Sequence, residues 1–123
     1  MIEAVAIAVA GAVGAPARYL LDRFVQQRVA TVFPWGTFVI NASGAFLLGL
    51  ITGLALHRGL GPLPRAALGT GFCGTYTTFS TYTYETVRLV EDRAWWEAVV
   101  NVAASLGVGL LAAGAGIGLA LLV

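Results

Sequence analysis

The chain has 123 residues, of which 59% are hydrophobic and 11% charged, with a net charge of +1 and a mean hydropathy of +0.85. A soluble domain carries about 25% charged residues, so this composition excludes an ordinary soluble fold and describes an integral membrane protein with almost no extramembrane mass. The near-neutral balance, without any basic run, excludes a nucleic-acid partner. A single cysteine, Cys73, excludes an intramolecular disulfide and a multi-cysteine metal site, and reads as a small buried residue.

Four apolar spans follow in order, each near the ~20 residues that cross a bilayer. The first runs from about Ile2 to Leu21 and the second from about Trp35 to Leu56. The third runs from about Arg65 to Val87 and the fourth from about Trp95 to Val123. The chain therefore reads as one all-α transmembrane domain over residues 1–123. Its start, Met-Ile-Glu, has no basic region, so the first span is expected as a retained helix rather than a cleaved signal. The fourth span is long enough to tilt or project. Trp35, Trp95 and Trp96 lie at span ends, where interfacial anchors belong. Both termini share a side with Arg58 and Arg65, while Arg23, Arg28, Arg88 and Arg93 lie on the other. The count favours that other side as cytoplasmic by a small margin, and copies inserted both ways would show the same weak bias.

Small residues recur at helical spacing: Ala6, Ala10 and Gly14; Gly49 and Gly53; Ser105, Gly109 and Ala113. Such stripes let helices approach closely in lipid, either within one subunit or against a second. Polar residues interrupt the spans. Arg18 near the end of the first either faces a pathway or snorkels to the interface. Asn41 keeps two donors and an acceptor that are costly to leave unpaired in hydrocarbon. It either bonds a neighbouring helix or lines a wet path shared with Ser43, Asn101 and Ser105. Asn101 and Ser105 are four apart and share a helix face. Glu85 reads as an interfacial carboxylate paired with Arg88, or as part of an ion path.

The third span is the unusual one, reading GTGFCGTYTTFSTYTYET from Gly69 to Thr86. Gly69, Gly71 and Gly74 weaken a helix, and the threonines that follow bond locally instead of propagating it. A break is therefore expected at Gly74. Non-helical backbone at membrane depth survives only inside protein or facing water. A break frees carbonyls that suit a hard cation and a half-helix N-terminus that suits an anion; a kink with its bonds satisfied internally is the alternative. Phe79 and Tyr82 share one face, Thr78 and Thr81 another. A ring edge is positive and attracts an anion without presenting a charge, although packing is the commoner use of such aromatics.

These residues carry a resemblance. Gly14-Ala-x-x-Arg18-Tyr19, Gly36-Thr-Phe-x-x-Asn41-x-x-Gly44, Gly71-Phe-Cys-Gly74-x-x-Thr77-Thr-Phe79-Ser80-Thr81 and Asn101-x-x-x-Ser105 span nearly the whole chain. Together they resemble the Fluc/CrcB family of small fluoride channels. The resemblance implies an antiparallel, dual-topology homodimer of four-helix subunits in the cell membrane, with the third helix broken at mid-membrane and two pores per dimer. It implies a central structural Na⁺ held by the backbone carbonyls of Gly74 and Thr77 from both subunits. Phe79 and Tyr82 stand at the positions of the paired aromatics whose ring edges meet fluoride. Tyr82 departs from the phenylalanine that many members carry there, and its added hydroxyl could bond the ion or obstruct a narrow path. Asn41 would be a pore donor, with Ser80, Thr81 and Ser105 beside the route, and Arg18 matches a first-helix arginine.

The function implied is passive export of fluoride, relieving its toxicity, with no enzymatic step. A small dual-topology drug/proton antiporter would need a titratable carboxylate deep in a helix, where this chain has none. A non-transporting membrane subunit accounts for the small-residue stripes but not for Asn41 beside a broken third helix. His57 is the only histidine and lies at a span end, away from any nucleophile.

Overall fold

In the computed structural model, which describes every residue from Met1 to Val123, α1 spans Ile2–Arg28. It passes through Pro16 and continues beyond the apolar run, because Arg and Gln extend a helix as readily as Leu does. Gln26 donates to both carboxylate oxygens of Asp22 at 3.1 and 3.0 Å, and the Arg28 guanidinium lies 3.7 Å from the centre of the Phe24 ring. Extended backbone at Val29 ends the helix. The first turn of helix α2 (Trp35–His57) forms an aromatic cluster with the preceding Phe33, through Trp35 and Phe38.

The third span is composite. A single turn, α3 (Pro62–Arg65), starts on a proline whose missing amide costs nothing there. A π-helical stretch, Ala66–Cys73, carries it on, and α4 (Gly74–Tyr76) closes the first half. Thr77 and Thr78 are extended, and α5 (Phe79–Glu91) resumes beyond them. Helix α6 (Trp95–Leu122) ends the chain. Three helices, α1, α2 and α6, are long and apolar enough to cross a membrane. At 1.5 Å per residue, α1 and α6 exceed the hydrocarbon thickness of about 30 Å, so they tilt or project.

The expected break at Gly74 is corrected. Gly74 has ordinary right-handed helical backbone (φ −63°, ψ −30°), and the chain leaves the helix at Thr77 instead. Gly71, and Gly14 facing the third span from α1, serve packing. A Cβ on Gly71 would lie 2.6 Å from the Ile7 carbonyl oxygen, and one on Gly14 would fall on Thr75 Oγ1 and the Phe72 carbonyl.

Contacts fix the directions of the rods. Residues 7, 14 and 18 of α1 meet residues 71, 72 and 77 of the third span in increasing order, so these two run parallel. Gly49 and Gly53 of α2 meet Ala113 and Ile117 of α6, also in increasing order. Asn41 and Thr37 meet Thr78 and Glu85 in decreasing order, so α2 opposes the third span. The result is an up-down-up-down bundle built from two close pairs, α1 with the third span and α2 with α6. The stripes containing Gly14, Gly49 and Gly53 are thus used inside the subunit, whereas Gly109 faces open space. Only 17 of the 123 residues are buried, so most apolar surface is left for lipid or another chain.

At the end of the bundle, Arg58 donates to the Leu121 carbonyl at 3.0 Å and reaches the Ala120 carbonyl at 3.5 Å. It neutralises the negative end of the α6 dipole, an effect of about 0.3–1 kcal/mol. Arg58→Ala is expected to leave the bundle folded and to speed amide exchange in the last turn of α6 alone.

Candidate functional site

The site is the two-residue gap in the third span. Extended backbone at Thr77 and Thr78 turns peptide groups away from the helical ladder, and each needs a partner at this depth. Two side chains supply most of them. Asn41 of α2 accepts from the Thr78 amide through Oδ1 at 2.9 Å and donates Nδ2–H to the Thr78 carbonyl at 2.8 Å. Its amide acts as a short piece of neighbouring strand. Arg18 of α1 donates Nη1–H to the Thr77 carbonyl at 3.4 Å. Thr77 keeps its own amide on the Cys73 carbonyl at 3.0 Å and adds its hydroxyl there at 2.8 Å.

Thr78 then starts the next helix. Its Oγ1 accepts from the Thr81 amide at 3.2 Å, as an N-cap residue does. Ser80 and Thr81 hydroxyls lie 3.3 and 3.1 Å from the same oxygen and are exposed. Phe79 projects with 79% of its surface open, unusual for a large apolar ring beside polar groups. The Tyr82 ring lies 5.8 Å from it, tilted by 41°. Asn41, Gly74, Thr77, Thr78 and Phe79 line one cleft of about 350 Å³.

The remaining sequence candidates lie further along. Asn101, 2% exposed on α6, donates to Thr86 Oγ1 at 2.9 Å. Thr86 in turn donates to the Tyr82 carbonyl at 2.8 Å, and Ser105 reaches Asn101 Oδ1 at 3.4 Å. These residues join α6 to α5 below the gap rather than standing in it. Glu85 accepts from Thr37 Oγ1 at 3.0 Å, and Arg88 turns to Tyr84, lying 6.0 Å from its ring centre. The expected Glu85–Arg88 pair is therefore corrected: α2 offers Glu85 a donor, and Tyr84 offers Arg88 a ring.

Three supports were not legible as such. Thr75 wedges α4 against α1, its hydroxyl 3.1 Å from the Gly11 carbonyl. The Tyr76 hydroxyl, on a ring 6% exposed, lies 2.7 Å from Ser43 Oγ. Thr37 holds Glu85. Gly11 and Gly14 on one face of α1 were the available signal for the first, since they leave room for a side chain from the facing helix.

Known proteins are similar to this chain in sequence. The family described as "CrcB-like protein, Camphor Resistance (CrcB)" matches residues 5–117. The fluoride-specific ion channel FluC 1 of Streptomyces avermitilis is 52% identical over 112 residues, covering 90% of both chains. The fluoride-specific ion channel FluC of Geobacter sulfurreducens is 48% identical over 118 residues, 95% of each. That of Acidobacterium capsulatum is 47% identical over 107 residues, 86% of each. A family match over residues 5–117 and relatives near half identity along most of their length leave one assignment: the chain belongs to the CrcB family.

Proposed function

We propose that this chain is a fluoride-selective channel for passive export of fluoride, acting in the cell membrane as an antiparallel homodimer with two pores and a central Na⁺. The observation that carries the reading is the gap at Thr77 and Thr78, with its peptide groups held by Asn41 and Arg18 and with Phe79 exposed beside it. The relatives named as fluoride-specific ion channels support its fluoride part.

Fluoride is small and gives up water reluctantly. A pore must replace that water with donors while staying too narrow for chloride, and must bind weakly enough to release the ion. Asn41 uses one Nδ2 hydrogen on Thr78 and keeps the other. Ser80 and Thr81 add exposed hydroxyls, and Phe79 adds a positive ring edge. Thr86 meets Tyr82 at its carbonyl and not at its hydroxyl, which leaves the phenol for an ion or a water.

A second copy supplies the missing cover for Phe79 and for the cleft beside it. Antiparallel pairing about a twofold axis in the membrane plane makes every pore occur twice. The donors near that cleft fit a small hard cation. The Thr77 carbonyl has one long bond from Arg18 and a lone pair to spare, and the Gly74 carbonyl lacks its helical donor. These two carbonyls would hold Na⁺, which supplies fixed positive charge and fastens the broken helices of two subunits together.

The test is ion efflux from liposomes containing the purified protein, with a potassium ionophore to balance charge. Fast fluoride loss with chloride retained is expected. Phe79→Ala that still dimerises is expected to lose at least tenfold in fluoride rate. A folded dimer that passes no fluoride overturns the proposal.

A further inference from the structure

The ladder of the third span is intact up to Cys73, whose carbonyl receives the Thr77 amide at 3.0 Å. The next carbonyl is that of Gly74. In a continuous helix its donor is the amide four residues on, which is Thr78. That amide is instead held by Asn41 Oδ1 at 2.9 Å, while Asn41 Nδ2 holds the Thr78 carbonyl at 2.8 Å. Both bonds come from one rigid amide on a different helix, so Thr78 cannot swing back to Gly74 without losing both. Gly74 itself is exposed, lines the same cleft as Asn41, and has nothing within 4 Å of where a Cβ would stand.

We infer that Asn41 is the positioning residue of the cation site: by taking the Thr78 amide it leaves the Gly74 carbonyl without a donor and available to Na⁺. This rests on the cation proposed above. A carbonyl already bonded to an amide is a poorer cation ligand than one with both lone pairs open, and a carbonyl left bare at membrane depth is costly until something fills it. Asn41 holds the bare state in place before the cation arrives. The same side chain keeps one N–H for the anion path, so a single residue serves both ions with different atoms.

The experiment is thermal unfolding of the purified protein in detergent, in sodium chloride against N-methylglucamine chloride. Sodium should raise the melting temperature of the wild type by binding the folded state alone. Asn41→Ala should need at least tenfold more sodium for half of that rise, or lose it. Thr86→Val, which removes a hydroxyl that bonds α6 outside the gap, should lower the baseline stability but keep the sodium response. A wild type with no sodium response overturns the cation reading and this inference with it. A wild type with a response that Asn41→Ala retains in full overturns the inference alone. Should Asn41→Ala not fold, NMR couplings across the hydrogen bond in the wild type decide. Without sodium, a coupling from the Thr78 amide nitrogen to the Asn41 side-chain amide carbon supports the inference, and a coupling to the Gly74 carbonyl carbon instead overturns it.

Discussion

Gly116→Val is expected to unseat α6 from α2 and leave little folded protein. A Cβ at Gly116 would fall on the Phe46 carbonyl and lie 2.6 Å from the Leu50 amide nitrogen. Both are backbone atoms of a helix, so no rotamer change relieves the clash, and α2 must move away as a unit. The contacts at Gly49 and Gly53 then open too, because they lie on the same seam against Ala113, Ile117 and Ala120. In lipid there is no hydrophobic drive to hold the loosened pair, since association depends on close packing itself. Overpacking costs about 1–3 kcal/mol in ordinary cores, and a backbone-to-backbone clash on a shared seam lies at or above the top of that range. The check is thermal unfolding in detergent beside Gly114→Val. Gly114 has nothing within 4 Å of its Cβ direction, so its substitution should stay within about 0.5 kcal/mol. Equal loss in both variants would show that the seam is not the cause.

The sequence made the spans readable because bilayer crossing is a property of length and apolarity, and both are local. It was less informative where a helix ends. Apolarity stops near Leu21, yet α1 continues to Arg28, because leaving the membrane and leaving the helix are separate events. The glycines of the third span pointed to a break at Gly74, whereas the helix ends two residues later, at Tyr76. Glycine signals conformational freedom and close approach with the same letter, and at Gly71 the use is close approach to Ile7. At the gap the Thr78 amide is taken by Asn41, 37 residues away, in competition with the helical ladder. A local pattern cannot reveal that competition. Of the two readings of Asn41, the bond to a neighbouring helix is the one seen, and it leaves one Nδ2 hydrogen free. The polar pair Asn101 and Ser105 was visible by spacing, but its partner, Thr86, is chosen by how α5 and α6 pack.

Arg18→Gln is expected to lower fluoride efflux by at least tenfold while lowering the sodium concentration needed for stabilisation. The two changes have opposite signs for one reason. Arg18 donates to the Thr77 carbonyl at 3.4 Å and so fixes a full positive charge at the gap. At an effective dielectric of about 20, a unit charge about 6 Å from a passing anion is worth about 2.8 kcal/mol, or about a hundredfold in local anion occupancy. The same charge repels a cation on the same carbonyl by a comparable amount, so removing it favours sodium as it disfavours fluoride. Glutamine removes the charge and, being shorter, also gives up the 3.4 Å bond to Thr77, so the sign of the sodium shift is what separates charge from bond. Arg18→Lys keeps the charge on a more flexible stem and should fall between the two. A residue that merely snorkelled to the interface would move neither quantity. Fluoride flux within twofold of the wild type, with an unchanged sodium response, would return Arg18 to that simpler role. A parallel fall in flux and in sodium affinity would mean that the bond to Thr77, rather than the charge, is what matters.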